Sequence, residues 1–102
     1  MTNAQNIRTI VAQLMREKQE FKTALKKAEK QNSYSYEKVL AWEEAYITSG
    51  ENEKVGQKLD EAYDEYSEAN EAMHEAEQQV KAIDEALQAL RKAVEAIEWL
   101  GL

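Results

Sequence analysis

From Val55 onward an apolar or aromatic residue returns at every third or fourth position without a break, through Leu59, Ala62, Tyr66, Ala69, Met73, Ala76, Val80, Ile83, Leu87, Leu90 and Val94 to Ile97. An alternating 4,3 spacing averages 3.5 residues per turn. It holds one seam of a helix against a single neighbour, the condition for a left-handed coiled coil. A strand would alternate with period two, so this half of the chain is helical.

The first half repeats the pattern through Ile7, Val11, Leu14, Lys18, Phe21, Leu25, Ala28, Asn32, Ser35, Val39, Trp42 and Tyr46. Polar residues interrupt it, yet the phase is never lost. One continuous helix is therefore expected, with the polar run 31–35 as the place for any kink. Between the halves lies Thr48-Ser49-Gly50-Glu51-Asn52. Gly50 can take the left-handed backbone that ends a helix, and Ser49 or Asn52 can cap the next one. Thr2 and Gln5 have capping-box spacing at the start, and Gly101 follows the last periodic turn. These signals predict helices over about 3–48 and 52–100 in one domain, 1–102. The fold class is all-α, a long antiparallel two-helix coiled-coil hairpin. The absence of proline agrees.

An antiparallel pair fixes the sum of the residue numbers that share a layer. A sum of 101 leaves a workable turn. It pairs Tyr46 with Val55, Trp42 with Leu59, Val39 with Ala62, Ser35 with Tyr66, Asn32 with Ala69, Phe21 with Val80, Lys18 with Ile83 and Leu14 with Leu87. Large residues often face small ones, as interdigitated packing requires. Beside the seam, Lys38 falls near Glu65, while Arg8 near Arg91 is a mismatch. The Tyr66 hydroxyl is expected to bond to Asn32 or Ser35 in a polar layer that fixes register.

The chain has no cysteine, which removes disulfides and thiolate chemistry and suits a reducing compartment, so a cytoplasmic location is expected. Met1 to Asn6 does not read as a secretion signal, and no stretch approaches a membrane span of ~20 apolar residues. The net charge of −7 disfavours direct binding to nucleic acid or to an anionic membrane. That charge is unevenly spread: residues 1–30 carry +4 and residues 51–77 carry −8.

Little here suggests chemistry. Glu71 and His74 have the Glu-x-x-His spacing of di-iron bundles, but they lie on outward positions and a second such motif is missing. A two-helix rod offers almost no concavity for a substrate, and no nucleophile, base and orienter set stands out. No catalytic, cofactor or metal residues are expected.

Surfaces are more informative. Tyr34, Tyr36, Leu40 and Ile47 are surplus apolar residues around a segment whose seam is already supplied by Val39, Trp42 and Tyr46. A two-helix rod buries one stripe of each helix, so the surplus expects another neighbour. The second helix adds Ala72, Ala86, Ala93 and Leu100 on one flank, with Ala82, Ala89 and Ala96 beside them, and Trp99 near its end. The leading expectation is a non-catalytic protein-protein interaction protein. It would form a homodimer closed as a four-helix bundle and bind a further protein through Tyr34, Tyr36, Leu40, Ile47 and Trp99. A second expectation rests on the acidic face Asp60, Glu61, Asp64, Glu65, Glu68, Glu71 and Glu75. Carboxylates spaced by about a helical turn, ~5.4 Å, can imitate a phosphate backbone. That is the device of a phage-type inhibitor of a host nuclease or defence complex, although any exposed acidic helix face has the same look. A third is a chaperone or scaffold hairpin that works through its turn.

Overall fold

A computed structural model of the chain describes residues 3–101. It is an all-helical hairpin of two α-helices, α1 (Asn3–Thr48) and α2 (Glu53–Leu100). α1 runs without interruption through residues 31–35, because the maintained seam holds a run whose own propensity is poor. The expected capping box cannot be judged, since Thr2 lies outside the described residues.

The turn is built as its residues require. Gly50 donates to the Ile47 carbonyl at 3.1 Å and Glu51 to the Tyr46 carbonyl at 2.9 Å, a pair of bonds that closes a helix C-terminus around a left-handed residue. Gly50 is that residue, with φ of 71°. Glu51 follows it with φ of 64°, a conformation in which a side chain costs about 1–2 kcal/mol. Asn52 then caps α2: its Oδ1 accepts from the backbone N–H of Lys54 at 2.9 Å and of Val55 at 3.3 Å. Asn52 therefore stands just outside α2, which begins one residue later than expected.

Helix-to-helix contacts divide into two compact units. The terminal unit comprises the chain up to Ala24 and from Glu77 onward; the turn unit is Leu25–Ala76. In both, every described seam position named above is buried or half-buried. Ile83 and Leu87 are the most enclosed large side chains of the terminal unit, at 8% and 4% exposure. There Ala4 is also buried, adding a layer with Ile97 to the register. In the turn unit the core is Val39, Ala62, Ala69 and Ala76, small residues that let the helix backbones approach.

Cross-helix contacts test the register. Lys18 with Asp84, Asn32 with Asn70, Tyr36 with Tyr66 and Lys38 with Glu65 join residues whose numbers sum to 102 or 103. Positions flanking a seam whose layers sum to 101 meet in this way. Gly56 shows how close the fit is: a Cβ there would lie 3.2 Å from the Tyr46 ring.

Two expected details are corrected. Arg8 lines one depression with Arg91, as the register places it, but the mismatch is relieved because its guanidinium reaches along α2 to pair with Glu98. Asn32 bonds to Asn70 at 3.4 Å rather than to Tyr66, whose ring packs against Tyr36 with centroids 5.7 Å apart. Ser35, 1% exposed, keeps a hydroxyl with no hydrogen-bond partner.

Candidate functional site

With the seam closed, the informative residues are apolar side chains outside it. In the turn unit these are Tyr34, Tyr36, Leu40, Ile47 and Tyr63, each between 44% and 75% exposed. At about 100° per residue, Tyr36, Leu40 and Ile47 fall within about 40° of one another, forming a single stripe over three turns of α1. Tyr63 reaches the same flank from α2, where its hydroxyl donates to the Glu43 carboxylate. Tyr34 does not join them. It projects on the opposite side of α1, where the Lys38 ammonium stands 5.7 Å from its ring and pairs with Glu65 at 2.9 Å. The expected group of interface residues is thus split across two flanks.

Tyr63 was missed from sequence because it sits one place beyond the seam residue Ala62 and reads as a spare polar aromatic. The register sets Tyr63 level with Lys38, and its hydroxyl reaches Glu43 five residues further along α1 on its own flank. The hydrogen bond to Glu43, with a smaller contribution from burial, raises the Tyr63 pKa above the ordinary value of 10.0. A phenol whose pKa is raised on folding contributes stability that is present below the unfolded value and lost as pH rises through the folded one. In an ultraviolet titration one tyrosine should therefore ionise late. Glu43→Gln should return it toward the ordinary range, and an unchanged titration would mean that the Tyr63–Glu43 contact is not formed in solution.

The seven carboxylates of the expected acidic face are all exposed. Glu65 is engaged by Lys38 and Glu61 lies 3.4 Å from Lys58, while Asp60 acts electrostatically on Tyr63. The face spans an arc of about 140° on α2, broader than a single row. Charge divides sharply between the units. The terminal unit holds seven basic and seven acidic residues, whereas the turn unit holds six basic and thirteen acidic ones. The whole net charge of −7 therefore belongs to the turn unit.

The terminal unit exposes Ile10, Met15, Trp99 and Leu100, with Trp99 at 86% the most exposed of them. Ile10 and Leu100 share a flank with Ala86, Ala89, Ala93 and Ala96, where the neighbouring Asn3, Asn6 and Gln13 add no charge and Glu17, on the row of Ile10, adds one. Lys18, at its core position, turns outward to pair with Asp84. A long aliphatic stem allows this.

A surface depression of about 440 Å³ is lined by Lys26, Glu29, Lys30, Ser33, Tyr34 and Glu37, all from α1. Among the described residues no three acidic or histidine side chains group closely enough to hold a metal ion. No described helix is long and apolar enough to cross a membrane. No protein-family model matches the chain, and no curated protein or solved structure matches it.

Proposed function

We propose that the chain is a non-catalytic interaction protein that binds another protein through a helix flank of its turn unit. The observation that carries this reading is the stripe Tyr36, Leu40 and Ile47 with Tyr63 beside it, left exposed although the seam is filled. Side chains of this size stay at the surface of a folded hairpin at a cost in solubility, and clustered on one flank they make an anchor for a partner. Self-association belongs to the other unit. Its flank of Ile10, Leu100 and alanines, in a unit without net charge, lets two copies approach without net repulsion and close a four-helix bundle, whereas two turn units would bring −7 against −7.

One comparative experiment tests both parts. The tagged chain, its Leu40→Asp/Ile47→Asp variant and its Ala89→Glu/Ala93→Glu variant are used for capture from source cells and for sedimentation. The first variant should lose the captured partner and keep the parent's oligomeric state; the second should keep the partner and sediment as a monomer. A partner retained by Leu40→Asp/Ile47→Asp would remove the stripe from the interface. A strict monomer for the parent would remove the dimer.

The concentration of charge in the turn unit favours a second reading, an acidic inhibitor that occupies a basic nucleic-acid channel of another protein. In that case Asp60, Asp64, Glu68, Glu71 and Glu75, rather than the stripe, make the contact. Capture would then be lost on charge reversal of those residues and would weaken steeply with salt.

A further inference from the structure

We infer that the occupant of the turn-unit stripe is a basic amphipathic helix of another protein, its apolar face on Tyr36, Leu40 and Ile47 and its lysines or arginines on the surrounding carboxylates. This rests on the interaction reading above and names the chemistry of the partner.

From Tyr36 to Ile47 the stripe is about 16 Å long at ~1.5 Å per residue, and its members recur at the spacing by which one helix meets another in a groove. Tyr63 extends it toward α2, held there by Glu43. Between Ser33 and Ile47 the rim is acidic, and Lys26 and Lys30, which share a depression with Glu37, stand at its N-terminal end. Glu37, Glu43 and Glu44 border the stripe on α1, and on α2 Asp60, which acts electrostatically on Tyr63, shares its row with Glu53. No lysine or arginine falls on these rows between Ser33 and Ile47 or between Glu53 and Glu71. Lys38 and Lys58 lie on the other flank, against Glu65 and Glu61. An apolar centre inside a rim of one sign selects a ligand of the opposite pattern, and burying the centre brings the opposite charges into register.

A second copy does not supply that pattern. Its turn unit repeats the same acids, and the apolar flank of its terminal unit, with Glu17 on the row of Ile10, offers no ring of cations. Its exposed apolar residues beside cations are Met15, bordered by Arg8, Arg16 and Lys22, and Trp99, on the row of Lys92; they stand singly and do not form a stripe to match.

The test uses the full chain and a labelled 18-residue leucine-lysine peptide patterned as an amphipathic helix, with a leucine-glutamate peptide of the same pattern as its counterpart, read by fluorescence anisotropy. The lysine peptide should bind, and Leu40→Asp/Ile47→Asp should weaken it by about tenfold or more, the loss that a truncated anchor pair produces. Those substitutions add negative charge, so plain electrostatic attraction predicts the opposite change. Glu37→Gln/Glu44→Gln should weaken binding and flatten its dependence on salt. Glu85→Gln/Glu95→Gln, an equal change of charge in the terminal unit, should leave affinity within about twofold. Circular dichroism confirms that each variant remains helical.

The inference is overturned if the lysine peptide fails to bind, or if the distant pair matters as much as the rim pair. It is overturned too if the glutamate peptide binds as well. In that last case a loss of both peptides in Leu40→Asp/Ile47→Asp would leave the interaction surface standing and remove only the basic partner.

Discussion

Leu87→Ala should lower the unfolding free energy by about 2–4 kcal/mol, measured by urea denaturation followed at 222 nm. Leu87 is 4% exposed and lies in the layer with Leu14, one helical turn from Ile83. Removing three carbons there forfeits the transfer of apolar surface and leaves a cavity, since two helices held by their remaining layers cannot collapse around one missing knob. The effect is large because domains of this size are stable by only about 5–15 kcal/mol in total. Leu40→Ala is the control. Leu40 is 46% exposed outside the seam, and its truncation should change stability by no more than about 0.5 kcal/mol. Equal losses at both sites would mean that the stripe is part of the core and is unavailable to a partner.

That contrast also marks where the sequence was legible. The seam could be read residue by residue, because a coiled coil repeats one geometric requirement in every layer and a polar residue at one position does not shift the phase at the next. The turn was legible for a related reason: Gly50 and Asn52 are types whose backbone and side-chain chemistry suit a helix end and a helix start. Side-chain reach was not. Arg8 faces Arg91 by register, yet a long flexible arm can pass a like charge and find Glu98 one heptad further on. Tyr66 seemed the natural partner for the polar layer, but its ring is occupied by Tyr36, and Asn32 turns to Asn70.

The candidate surface was legible in composition and not in arrangement. Tyr36, Leu40 and Ile47 stand together as expected, and so does their exposure. Tyr34 belongs to the other flank because two residues along a helix turn the side chain through about 200°. The acid rim emerged only when the two helices were paired. Glu37 and Glu44 are far from Asp60 in the chain, and only the hairpin brings Asp60, through Tyr63, to the stripe that they border. The charge imbalance has the same origin, since the net −7 is placed in the turn unit by the contacts that define it.

Replacing the polar seam residues together, as Lys18→Leu/Asn32→Leu/Ser35→Ala, should raise stability by about 3–5 kcal/mol and the melting temperature by roughly 10–20 °C. Each change removes a different cost. The Lys18–Asp84 pair stands partly in water, where such pairs contribute less than about 1 kcal/mol, while a leucine against Ile83 would add buried apolar surface. Asn32 holds a long bond to Asn70, which is only part-buried and can turn to water when Asn32 is lost. The Ser35 hydroxyl is buried without a partner, and its removal relieves desolvation with no bond broken. What these residues supply in return is discrimination. An apolar seam runs equally well in shifted registers or against a second chain, whereas a lysine, an asparagine and a serine at fixed layers penalise every alignment that buries them differently. The triple variant should accordingly melt higher in calorimetry and sediment as a mixture of species where the parent gives one. Since Lys18 lies in the terminal unit and the other two in the turn unit, its contribution should add to theirs nearly independently. A melting temperature below the parent's would show instead that the polar layers hold the hairpin together.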